Sequence, residues 1–201
     1  MSKFKYPSSI EGDYNRRKQI LKDFETVCLT KVISKQAVYD MAWRTSWEWT
    51  DNTGAYVGCP YWTEDALKIL FKDFDSSNIN KFIDRKALSK NVGSKVIHEH
   101  IVPRNYFINY IMSCYDNKKA PKEENLNKMM ACIVTKEEDK ILSENGYKQV
   151  MPNNIKELES VQNPWQRYIN SKITKIYKIE WENCVIKGIE VLNIEKTIDK
   201  N

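Results

Sequence analysis

Apolar residues recur at three- and four-residue steps through the first half of the chain. Between Asp13 and Leu29 they fall at Ile20, Leu21, Phe24, Val27 and Cys28. That is the stripe of an amphipathic helix, with Arg16, Arg17 and Lys18 on its solvent side. A loose lead-in, residues 1–12 with Pro7, Ser8, Ser9 and Gly12, precedes it. A second helical pattern follows Ser34 through Val38, Tyr39 and Met41 towards Trp43 and Trp47, where dense indoles suggest helix packing. Asp51-Asn52-Thr53-Gly54 and Gly58-Cys59-Pro60 read as turns. Tyr61-Trp62-Thr63 then opens a helix with Thr63 as N-cap, Glu64 and Asp65 in the first turn, and Leu67, Leu70 and Phe71 buried. Asp75-Ser76-Ser77-Asn78 interrupts, and Ile79 to Leu88 reads as a shorter helix.

The pattern changes after the loop Asn91-Val92-Gly93-Ser94. Residues Lys95–Val102 are short and rich in β-branched side chains, which predicts a strand stopped by Pro103. Arg104–Met112 carries Tyr106, Phe107, Tyr110 and Ile111 at helical spacing, and Pro121 can begin a helix to about Met129. Ala131-Cys132-Ile133-Val134 reads as a buried strand. Thr135 with Glu138 three residues on is a capping box opening a helix to Ser143, closed by Asn145-Gly146. Residues 151–164 are loop-rich, and Trp165–Ile169 suits a helical turn or two. Tyr177, Ile179 and Trp181 alternate as in a strand, with turn candidates at Glu182-Asn183 and Lys187-Gly188.

These elements predict an α+β fold, with a helical N-terminal part, a small strand–strand–helix core and a C-terminal β-hairpin or meander. We expect one domain over residues 1–201: a mainly helical part (1–90), a candidate catalytic core (91–150) and a C-terminal α/β extension (151–201).

Composition narrows the function classes. Of 201 residues, 41% are hydrophobic and 11% aromatic, six of them Trp, enough for a packed core. Lys plus Arg exceed Asp plus Glu by 32 to 27, a net charge of +5 that suits a polyanionic partner without requiring one. Five cysteines, odd in number and with no C-x-x-C pair, argue against a structural Cys₄ zinc site. No apolar run reaches the ~20 residues of a membrane span or has the form of a signal peptide. The expectation is a reduced, cytoplasmic protein without membrane association. Six glycines and no phosphate-loop or dinucleotide motif disfavour nucleotide chemistry.

The chemistry concentrates in Val96-Ile97-His98-Glu99-His100-Ile101-Val102-Pro103, which holds both histidines of the chain. On a strand, His98 and His100 share one face and Glu99 takes the other. Two imidazoles could serve one metal, or one could act as base, as imidazole does near neutral pH. Two hydrogen-bonded structural histidines remain an equal alternative.

Glu99-His100-Ile101-Val102-Pro103 resembles the acidic–His–Ile–Val–Pro start of the HNH, or His-Me finger, nuclease motif. The resemblance extends over residues 96–140 and implies Glu99 as ligand of a divalent ion (Mg²⁺ or Mn²⁺, with Zn²⁺ also suitable). It implies His100 as the base that activates water; His98 joins it as a catalytic candidate only through the shared strand face. In that family an Asn follows in a loop and a His or Asn on a short helix completes the site. Here Asn125 and Asn127 are available for the first, and Glu137, Glu138 and Asp139 for the second. Carboxylates also favour a helix start for purely local reasons. The motif's zinc-knuckle cysteines, Gly-Gly loop and terminal His are absent.

Arg104 follows the motif as a candidate phosphate contact. Trp165 and Arg167, in Asn163-Pro164-Trp165-Gln166-Arg167-Tyr168, interleave aromatic and basic groups as nucleic-acid surfaces do. The expected function is a metal-dependent endonuclease acting on DNA or RNA, suited to restriction, phage defence or toxicity. The alternative is a non-catalytic nucleic-acid-binding or protein-inhibitor module with a structural His-Glu-His. A Trp cluster on the surface would equally serve a homodimer.

Overall fold

The computed structural model describes residues 10–50, 56–87 and 93–195. The turn expected at residues 51–54, residues 91 and 92 of the next loop, and most of the lead-in lie outside the described residues. The architecture is α+β, with helices leading and strands closing the chain.

The periodic N-terminal stripes form α1 (Ile10–Thr30) and α2 (Lys35–Thr50), which pack with α4 (Arg104–Asp116). Phe24, Cys28, Val38, Ala42, Trp49, Phe107 and Ile111 fill the space between them, and Met151, Leu158 and Val161 close its base. Phe24 meets Phe107 edge-on at 6.0 Å between ring centroids. This is the arrangement aromatic pairs favour.

The sheet comprises β1 (Tyr61–Thr63), β2 (Val96–His100), β3 (Ala131–Thr135), β4 (Ile176–Glu182) and β5 (Val185–Leu192). Their order is β2-β3-β1-β4-β5. β1 runs parallel to β3, and the other pairs are antiparallel. α3 (Glu64–Leu70) and a 3₁₀ segment (Ser76–Phe82) cover one face, burying Trp62, Leu67, Phe71 and Phe82 against Ile133, Tyr177 and Ile179. α6 (Lys136–Glu144) and α7 (Gln166–Asn170) cover the other, where Cys132, Val134, Leu142, Trp165, Tyr168 and Ile176 pack. Among the described helices none is long and apolar enough to cross a membrane.

The strand–strand–helix core has the expected order. β2 pairs with β3 from Val96 opposite Thr135 to His100 opposite Ala131. α6 starts directly from β3 with its capping box formed: Glu138 N–H donates to Thr135 Oγ1 at 3.1 Å, and Thr135 N–H donates to the Glu138 carboxylate at 2.8 Å.

Four local expectations change. Tyr61–Thr63 is a strand rather than a helix entry, because β3 and β4 supply its backbone partners, while Thr63 still caps α3. The helix expected over residues 79–88 is the 3₁₀ segment over 76–82, capped by Asp75. Beyond it, Ala87 N–H donates to Cys184 O and the backbone joins β5 instead of coiling on. The helix after Pro121 shortens to α5 (Glu123–Leu126). The last hairpin turns at Asn183 and Cys184, whose φ values of 50° and 64° are those of a tight hairpin turn. Lys187-Gly188 is therefore strand, with Gly188 paired to Glu180 beside a bulge.

Candidate functional site

Alternation along β2 sends His98 and His100 to one face, with ring centroids 5.4 Å apart and planes at 83°. Trp47, from the last turn of α2, lies against both imidazoles at 5.5 and 4.8 Å. Thr50 Oγ1, at the end of the same helix, shares a hydrogen bond of 3.2 Å with His100 Nε2. The strand, expected to run to Val102, ends at His100, and Pro103 caps α4, so Arg104 falls beside the imidazoles at the first position of that helix. Its Nε donates to Ser46 Oγ at 2.9 Å and its Nη2 to the Trp43 carbonyl at 2.6 Å. The guanidinium carbon stands 4.5 and 4.6 Å from the ring centroids of Trp43 and Trp47, within cation–π range.

This face therefore combines two imidazoles, one fixed guanidinium and two hydroxyls under an indole. His100 is only 4% exposed. Burial pushes its pKa well below the ordinary 6.5, and the neighbouring His98 and Arg104 push in the same direction. The ring is consequently neutral at pH 7, the form that accepts a proton. His98 is half-buried, with both ring nitrogens shielded from solvent.

The opposite face holds Glu99. Arg167, with no exposed surface, reaches it from α7: Nη2 lies 2.5 Å from Glu99 Oε1, and Nη1 donates to the His100 carbonyl at 3.1 Å. Burial raises the Glu99 pKa against the pull of Arg167, and Asp139 on α6 adds to the rise. Of the 137–139 trio, Asp139 lies near enough for its charge to bear on Glu99. Glu138 faces β1 and β3, where its carboxylate accepts from Thr135 N–H and from Thr63 Oγ1 at 2.7 Å. Glu137 is exposed. Glu138 acts as a cap: the two bonds its carboxylate accepts close the start of α6 and tie it to β1.

The residues do not fit a divalent ion as arranged. Mg²⁺ and Mn²⁺ take oxygen-rich shells with ligands about 2.1 Å from the metal, so ligand side chains must converge. Glu99 is instead engaged by a permanent cation, and the imidazoles leave the strand on the other side. Among the described residues no three His, Cys, Asp or Glu side chains come together to hold a metal.

Two expected nucleic-acid contacts are also corrected. Arg167 is fully buried and Trp165 is 3% exposed, because α7 packs its aromatic and basic side chains into the sheet instead of presenting them to solvent. Asn125 is buried, its amide donating to Tyr110 Oη at 3.2 Å, whereas Asn127 is exposed. Both line a cleft of about 620 Å³ with Lys122, Glu124, Lys128 and Glu159. That cleft carries mixed charge.

Ser46, Trp47 and Thr50 were missed as site residues, since a dense indole run reads first as core. The clue was the four-residue spacing of Tyr39, Trp43 and Trp47, which places them along one side of a helix. No protein-family model matches the chain, and comparison with curated proteins and with solved structures finds no match, so the functional reading rests on this geometry.

Proposed function

We propose that the protein is a nucleic-acid phosphodiesterase, hydrolysing DNA or RNA at the imidazole face of β2. The observation that carries this reading is the pair of imidazoles 5.4 Å apart with Arg104 fixed beside them. A neutral His100 has the protonation state of a general base, and His98 sets a second imidazole beside it. A guanidinium has five N–H donors, of which Ser46 and Trp43 take two, leaving donors for a phosphate oxygen. The resemblance of residues 96–140 to the His-Me finger supports the same reaction, as does the succession β2, insertion, β3, α6.

The metal-dependent form of the reading places Mg²⁺, Mn²⁺ or Zn²⁺ at Glu99 and requires that carboxylate to leave Arg167. Its signature is cleavage stimulated by the ion and lost in Asp139→Asn.

The test is cleavage of end-labelled single-stranded and duplex DNA and RNA, with each ion and with chelator. His100→Asn keeps a polar partner for Thr50 without a basic nitrogen. It is expected to lower the rate by roughly 10²–10⁴-fold, with an unchanged circular dichroism spectrum. A wild-type protein that cuts none of these substrates under any of these conditions overturns the hydrolase reading.

A second reading, a non-catalytic nucleic-acid-binding or inhibitor module, is favoured by one observation. His100 is sealed between Thr50 and Trp47, and Glu99 has a buried structural partner, so each of these two has a packing role. Binding without cleavage is its expected outcome.

A further inference from the structure

α2 carries Tyr39, Trp43 and Trp47 at four-residue steps, along one line of the helix. They remain 43%, 48% and 39% exposed, whereas Trp49 on the inner side of the same helix is fully buried. Arg104 lies against two members of this row, and Trp47 also touches both imidazoles, so the row runs without a break into the candidate site.

We propose that Tyr39 and Trp43, continued to the imidazoles by the already packed Trp47, form a platform on which unpaired bases of a single-stranded nucleic acid stack, with Arg104 taking a backbone phosphate. The inference deepens the nucleic-acid reading above and rests on it. A duplex hides its base faces within its own stack and offers only edges and phosphates. Exposed rings in a row therefore match splayed bases and not a double helix. The charges agree with a polyanion: Arg104 lies within the row, Arg44 is exposed on the neighbouring row, and the chain carries +5. Asp40 and Glu48 flank the same neighbouring row, so stacking rather than phosphate contact supplies most of the affinity, and its salt dependence is shallow.

The experiment is fluorescence-anisotropy titration of the full chain with labelled oligo(U), oligo(dT) and a duplex of equal length, for wild type, Trp43→Ala, Trp43→Phe and Tyr39→Ala. Trp43→Ala keeps the backbone carbonyl that Arg104 uses. It is expected to weaken single-strand binding roughly 5- to 150-fold, the equivalent of one lost base stack, while duplex binding barely changes. Trp43→Phe should recover most of the loss. Should Trp43→Ala fail to fold, Tyr39→Ala reads the same effect from an exposed ring.

Single-strand binding equal in wild type and in the Ala variants overturns the platform, whereas the nucleic-acid reading then stands. No binding of any strand by wild type overturns both. A wild-type dimer in sedimentation that Trp43→Ala converts to monomer, with strand binding unaltered, assigns the row to self-association and also overturns the platform.

Discussion

Arg167 is the residue whose role changed most between chain and fold. Interleaved with Trp165 and Tyr168 it reads as a surface cation, yet it is buried and bridges Glu99 and the backbone of His100. Removing one partner of such a pair strands a charge in the interior, which costs about 3–5 kcal/mol, whereas replacing both with neutral groups of similar size is often close to neutral. Urea unfolding should therefore show Glu99→Gln and Arg167→Met each strongly destabilised, and the double variant well above their sum. Strict additivity would mean that the contact contributes nothing. At His100 the folded pKa lies well below the ordinary 6.5, so the unfolded chain binds more protons between the two values. The stability from keeping this ring neutral is complete above the unfolded value and is lost as pH falls from there through the folded value. Wild type should lose more stability than His100→Asn between about pH 7.5 and about pH 5, and equal losses would contradict the burial argument.

Among elements, those with their own chemical punctuation were legible. α6 was readable to its ends because Thr135 and Glu138 form a reciprocal cap and Gly146, at φ 78°, follows its close. β2 was readable from its β-branched residues, although it closes at His100 and not at Val102 before Pro103, and its alternation placed both imidazoles on one face. β1 was not, since three residues show no period and become a strand only through β3 and β4. The covering of the imidazoles by Trp47 and Thr50 was hidden for the same reason: it depends on how α2 packs on α4, not on any local pattern. The Asn183–Cys184 turn yields a prediction at this scale. Cys184 sits at φ 64°, where a side chain costs about 1 kcal/mol or more relative to glycine. Cys184→Gly should raise the urea midpoint, and a lowered midpoint would show that the thiol contributes more than the backbone strain removes.

For the molecule as a whole, the sheet separates two chemistries on one strand. The α6–α7 side holds an internal ion pair, and the α2–α4 side holds imidazoles, a guanidinium and exposed aromatic rings. We propose the second side as the working one. The most direct measurement is single-turnover cleavage of a labelled single strand by wild type, by His100→Asn and by the Glu99→Gln/Arg167→Met double variant. His100→Asn should lose the reaction by roughly 10²–10⁴-fold while the double variant, once folded, retains it. The reverse pattern, an active His100→Asn and an inactive double variant, would place the chemistry at Glu99 and contradict that proposal.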